Sequence, residues 1–193
     1  MGTLKTTNIQ SISGSGTVTL GTSGETFTVP SGVTVNMSSA TQTGVGGVNT
    51  PAFRATMGSD QNLTDNVAGK IEFDTETYDI GSCYDPSTNY RFTVPSGEGG
   101  YYLINAQIQL KSDDDGQHVE SFIKLYKNGS ATYFSYDNFS GTGNTNGNML
   151  YNTQIVNLSA GDYIEVYGQI NVTTATPVAK GGYSYFQACK LIT

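Results

Sequence analysis

The chain has 193 residues, sixteen of them acidic and nine basic, and a net charge of −7. It therefore lacks the positive field on which nucleic-acid binding relies. No apolar run approaches the ~20 residues that a membrane-spanning helix requires. Charged residues make up only 13% of the chain, whereas Gly, Ser, Thr and Asn are abundant and Tyr alone contributes 13 residues. β-Branched and aromatic side chains fit a pleated surface and Gly and Asn supply turns, so this mixture favours strands over helices.

The first forty residues read as very short strands between turns: Thr17 to Leu20, Thr26 to Val29 and Val33 to Met37, punctuated by glycines and by Pro30-Ser31-Gly32. One copy of such strands has too little apolar surface for a core of its own, which predicts pairing with other copies or docking on a larger surface. We take residues 1–38 as a β-rich attachment segment and residues 39–49, rich in Gly, Ser and Thr, as a linker. Residues 50–193 form the head. Met1 is followed by no charged-then-apolar leader, so ordinary signal-dependent secretion is not expected.

In the head, alternating segments recur between turn signals with no helical period. The clearest runs from Tyr101 to Lys111, where Tyr102, Ile104, Ala106, Ile108 and Leu110 share one face and Asn105, Gln107, Gln109 and Lys111 the other. The next strand places Val119, Ile123 and Leu125 inward. Asn128-Gly129 then predicts a tight hairpin into Ala131 to Tyr136. Further strands are predicted near Met149 to Leu158, Tyr163 to Ile170 and Tyr183 to Ile192, with a turn at Ala160-Gly161-Asp162. This many strands in one small head implies an antiparallel sandwich or jelly roll. Phe122, Tyr126, Tyr163 and Tyr167 fall on the face opposite the aliphatic one, which marks them as candidate subunit-interface residues.

Ordered landmarks then point to a family. Pro51-Ala52-Phe53-Arg54-Ala55, Lys70-Ile71-Glu72-Phe73-Asp74, the run from Cys83 to Pro95, Gly100-Tyr101-Tyr102, Leu125 to Gly129, Leu158 to Ile164 and Phe186-Gln187-Ala188 occur in the order found in the C1q/TNF-like superfamily. The head resembles that superfamily, in the version common among phage, particularly marine phage, virion structural proteins. Asn89 stands where Gly is usual, and Gln187-Ala188 where Ser-Gly is preferred. No collagen-like stalk precedes the head. The resemblance implies a C1q/TNF-like jelly roll of about ten strands that assembles as a homotrimer. It further implies a non-enzymatic virion component, exposed on the particle surface as capsid decoration, head fibre or tail fibre. Residues 1–38 would contact a capsid or tail protein. The alternative is an adhesin or lectin that binds a host-surface glycan or protein.

Catalytic chemistry finds little support. The one histidine, His118, lies on an alternating strand and by period faces outward; no nucleophile elbow, phosphate loop or paired metal-binding histidine motif accompanies it. Asp113, Asp114 and Asp115 precede Gly116 in a turn and are the candidate calcium ligands, with Asp74, Glu76 and Asp79 a more scattered set. No other cofactor is expected. Cys83 and Cys189 are too few for a disulfide scaffold, and free thiols are the expectation. Thr28-Val29-Pro30-Ser31-Gly32 recurs identically at Thr93 to Gly97, which we read as shared turn chemistry and not as a repeat.

Overall fold

The computed structural model describes residues 26–35, 49–113, 118–139 and 145–192. The chain divides into two compact units, residues 1–45 and 46–193. In the first, Pro30-Ser31-Gly32 makes a turn closed by the Val33 N–H donating to the Pro30 carbonyl, with Gly32 at φ 83°. Thr26 to Val29 and Val33 to Val35, expected as strands, join no ladder among the described residues, and Phe27, Val29, Val33 and Val35 are exposed. Segments this short are stable as strands only where neighbours complete a sheet. The remaining N-terminal strands lie outside the described residues.

Among its described residues the second unit is all β, with thirteen strands: β1 Ala52–Thr56, β2 Gln61–Asn62, β3 Gly69–Lys70, β4 Thr75–Ile80, β5 Tyr84–Asp85, β6 Arg91–Thr93, β7 Gly100–Ser112, β8 His118–Lys127, β9 Ser130–Asn138, β10 Gly147–Leu158, β11 Tyr163–Val172, β12 Pro177–Ala179 and β13 Tyr185–Ile192. They form two antiparallel sheets. In the seven-stranded sheet, β10 pairs along the whole of β7, while β13 and β12 share its other edge, followed by β1 and β4 beyond β13 and by β2 beyond β12. The six-stranded sheet runs β5-β6-β11-β8-β9, with β3 also on β11.

Alternation along β7 sets the core. Tyr102, Ile104, Ala106, Ile108 and Leu110 are wholly buried, facing Ile123 and Leu125 of β8 and Ile164, Val166 and Ile170 of β11. At one end an aromatic cluster fills the space between the sheets: Phe53 stacks on Tyr84 at 4.5 Å and meets Phe186 edge-on at 4.9 Å, and Phe92 leans on Tyr102 at 5.3 Å. The buried phenol of Tyr84 donates to the Phe73 carbonyl at 3.0 Å, so its polar tip is satisfied. The sheets approach closely at Gly168, where an added Cβ would lie 2.9 Å from Ile71 Cδ1 and 3.1 Å from Ile108 Cδ1.

Turn chemistry follows the sequence. Asn128 and Gly129 have φ of 52° and 78°, the two positive values of a type I′ hairpin, and join β8 to β9. The second Pro-Ser-Gly copy repeats the first turn: Glu98 N–H donates to the Pro95 carbonyl and Gly97 has φ 80°. Glycine third in the turn at positive φ is the requirement of a type II turn, which accounts for the recurrence. Ile71 to Phe73 differs from its landmark. The ladder stops at Lys70, and Ile71 and Phe73 are buried in irregular chain anchored by the Ile71 N–H on the Val166 carbonyl.

Replacing Phe186 by Ala removes a ring that touches three others and is predicted to cost about 3–5 kcal/mol, read as a lower urea midpoint. Phe134→Ala, at an exposed ring, is predicted to leave that midpoint within about 0.5 kcal/mol.

Candidate functional site

The outer face of the six-stranded sheet carries all four rings singled out by alternation, Phe122 and Tyr126 from β8 and Tyr163 and Tyr167 from β11. Each is half-buried and has a partner in its own chain. Tyr126 stacks on Tyr167 at 4.0 Å, Phe122 on Tyr136 at 5.4 Å, and the Arg91 guanidinium covers the Tyr163 ring at 4.2 Å. Burial, with the Glu165 charge adding, pushes the Tyr167 phenol above its ordinary range. Glu165 itself is buried against Lys70 Nζ at 2.5 Å. This face is polar as well as aromatic, and its charges are mostly paired.

The outer face of the seven-stranded sheet is different. Register places Ile155 of β10 opposite Leu103 of β7, Leu103 opposite Cys189 of β13, Cys189 opposite Ala52 of β1, and Ala52 opposite Ile80 of β4. Five apolar side chains thus cross five strands in one row, about 19 Å at the usual spacing between strands. The next row is Thr153, Asn105, Gln187, Arg54 and Tyr78, and the next contains Tyr151, Gln107 and Tyr185. Arg54 is the one charged side chain in these three rows, lying 4.3 Å over the Tyr185 ring and donating to Gln187 Oε1 at 2.6 Å. Ile155 is 64% exposed and Tyr151 54%. A shallow cleft lined by Tyr78, Leu103, Asn105, Gln187 and Cys189 lies within the face. Sequence reading passed over this surface because its polar residues on β7 read as a wetted face, and only pairing with β10 sets Tyr151 and Ile155 beside them.

His118 corrects an expectation. It is 4% exposed and packs edge-on against Phe139 at 4.8 Å, not outward. Asn171 pairs with Glu120 but Val172 pairs with His118, so a bulge at Val119 reverses the side-chain parity. Neither ring nitrogen makes a well-formed hydrogen bond, and no nucleophile is positioned on it among the described residues. Burial pushes its pKa down, against the Asp137 charge and the nearby Glu120 backbone, which act upward.

Of the candidate calcium ligands, Asp114 and Asp115 lie outside the described residues. Asp113 accepts from the Thr176 N–H at 2.6 Å and joins two chain segments at the end of the sandwich. In the second acidic set, Asp74 accepts from the Gly58 N–H, while Asp79 accepts from the Cys83 and Tyr84 N–H groups; both brace turns. No group of three His, Cys, Asp or Glu among the described residues is arranged to hold a metal ion. Cys83 and Cys189 are free thiols, as expected. Burial, reinforced by the hydrogen bond from its thiol to Asp79, pushes the Cys83 pKa well up, which makes it an inert thiol. In the family landmark after it, Asp85 accepts from the Ser87, Thr88 and Asn89 N–H groups, and these hold its carboxyl far below the usual range. The Asn89 side chain also donates to Asp85 at 2.8 Å, so the departure from glycine is accommodated.

No family model matches the chain, and no curated protein does. Solved structures do. The Eiger TNF of S. frugiperda aligns with a TM-score of 0.50 at 15% identity over 73% of this chain and 90% of that one. The globular domain of the zebrafish complement 1qA protein gives 0.50 at 13% over 74% and 98%. Murine APRIL at pH 5.0 gives 0.51 at 14% over 72% and 98%. The fold is a C1q/TNF-like jelly roll. At these identities the likeness establishes the fold alone.

The buried imidazole makes stability pH-dependent. With its folded pKa below the ordinary ~6.5, the unfolded chain takes up the proton first, so stability is full above that value and falls as pH drops below it. The urea midpoint is therefore predicted to decrease from pH 7.5 to 5.5, and His118→Phe to flatten that decrease.

Proposed function

We propose that the chain is a non-enzymatic display protein, whose heads associate as a homotrimer through the outer face of the seven-stranded sheet. Residues 1–38 attach the assembly to a phage virion surface as decoration or fibre. The observation that carries the self-association is the apolar row from Ile155 to Ile80, flanked by rows with a single charge. Ile155 and Ile80 at the ends of the row are 64% and 53% exposed, and apolar surface with charge depleted beside it has the composition of an interface. The rings of the other sheet support association less, because their faces are already engaged within the chain.

Three copies are what the resemblance to the C1q/TNF-like superfamily supports, and a ring satisfies closure: a contact between unlike surfaces ends without exposed faces only if its rotation completes a ring. The attachment role is supported by the division of the chain into units 1–45 and 46–193 and by the exposed apolar side chains of residues 26–35, which join no ladder among the described residues. The virion setting rests on the resemblance read from the sequence.

Light scattering on the full chain is predicted to return three chain masses. Ile155→Lys, which places a charge in the apolar row, should yield one chain mass with unchanged circular dichroism, a loss of about 2 kcal/mol or more per contact. Tyr167→Lys should remain trimeric; the reverse pattern would transfer the interface to the six-stranded sheet. Deleting residues 1–48 is predicted to leave a trimeric head that no longer joins particles, and persistent incorporation would contradict the attachment role.

A further inference from the structure

A second surface, on the opposite sheet, has a separate composition. β9 is the edge strand of the six-stranded sheet, and its outward residues Phe134 and Tyr136 are 64% and 57% exposed. Register sets Lys124 of β8 opposite Phe134, and Phe122 opposite Tyr136, on which it stacks at 5.4 Å. Two consecutive outward positions on one strand are about 6.7 Å apart, so the two rings form a continuous strip.

Lys124 lies inside that strip. Its ammonium is 4.9 Å from the centre of the Phe122 ring and donates to Gln169 Oε1 at 2.5 Å. Gln169 is itself oriented, since its amide nitrogen donates to the Asn66 side chain at 2.8 Å. The neighbouring cation Lys70 is neutralised by Glu165, and Lys127, Lys180 and Lys190 also have carboxylate partners. Lys124 forms no ion pair among the described residues. In a chain of net charge −7, it is a positioned positive charge held by a neutral amide beside exposed aromatic faces.

We propose that this strip binds an acidic polysaccharide, specifically a chain bearing uronic-acid carboxylates. The C–H face of a pyranose packs on an aromatic ring as an apolar surface does, and the rings of Phe134 and Tyr136 offer two such faces in sequence, which suits successive sugars of a polymer. The ammonium of Lys124 then meets a carboxylate by a charge-assisted hydrogen bond. Lys124 is the one cation within the strip, and with Glu120 and Glu165 on the same face it suits a polymer with at most one carboxylate per sugar and disfavours a densely sulfated one. This site does not depend on self-association through the other sheet.

The test is titration calorimetry of the full chain with polygalacturonate, dextran and dextran sulfate as probes. Polygalacturonate should bind, more weakly as salt rises; dextran should not, and dextran sulfate should bind less tightly. Phe134→Ala combined with Tyr136→Ala should lower polygalacturonate affinity roughly tenfold or more, with an unchanged unfolding midpoint. Lys124→Met, which keeps the apolar stem, should lower it roughly tenfold, and Lys124→Arg should retain it. The proposal is overturned if wild-type chain ignores polygalacturonate, if dextran sulfate binds as tightly or more so, or if Lys124→Met binds normally. It is also overturned if the double alanine variant binds normally and instead splits the oligomer, which would make the strip a contact between copies. Oligomer mass, read on the same samples, tests the trimer separately, so either reading can fail alone.

Discussion

Tyr102, Ile104, Ala106, Ile108 and Leu110 leave no surface to solvent, and the alternation that buries them turns Leu103, Asn105, Gln107 and Gln109 to the other side of the sheet. Because the period is two, a one-residue slip would exchange the two sets, so burial of one face fixes the identity of the other. β7 is also the strand that β10, β12 and β13 all pair with. Its register therefore sets the order of side chains across the whole outer face. The apolar row from Ile155 to Ile80 is a consequence of core packing carried outward through strand pairing, and no single strand contains it.

The two outer faces have opposite character. On the six-stranded sheet, aromatic rings are stacked on one another or covered by a guanidinium, and Lys70 neutralises Glu165. Those contacts consume within the chain what a partner would otherwise cover. On the seven-stranded sheet the central rows contain one cation and no carboxylate, and burying them against another surface would leave few charges unpaired. The strip at Phe134 and Tyr136 is the exception on its sheet, because it lies on an edge strand, with no further strand beyond it among the described residues.

Much of this was legible in the sequence where a local rule has one outcome. Strict alternation identified the buried side of β7, Asn128-Gly129 the type I′ hairpin between β8 and β9, and the repeated Pro-Ser-Gly the same turn twice. The outward placement of Phe122, Tyr126, Tyr163 and Tyr167 was legible for the same reason. What failed depended on contacts between distant segments. His118 is inward because a bulge at Val119 answers the register of β11 at Asn171 and Val172, more than fifty residues later, which no period within β8 reveals. Ile71 and Phe73 alternate like a strand, yet are held by tertiary burial, with the Ile71 N–H on the Val166 carbonyl and the Phe73 carbonyl on the Tyr84 hydroxyl. The row across β10, β7, β13, β1 and β4 requires all four pairings at once, and Tyr151 and Ile155 carry no local mark of it.

The central claim is that the seven-stranded face is covered by other copies of the chain. Hydroxyl-radical footprinting, comparing concentrated assembled protein with protein diluted until it dissociates, tests it residue by residue. The account predicts that Tyr101, Tyr151, Ile155 and Tyr185 are protected on assembly while Tyr126, Tyr163 and Tyr167 react equally in both states. Protection of the latter three with Tyr151 and Ile155 unchanged would contradict it.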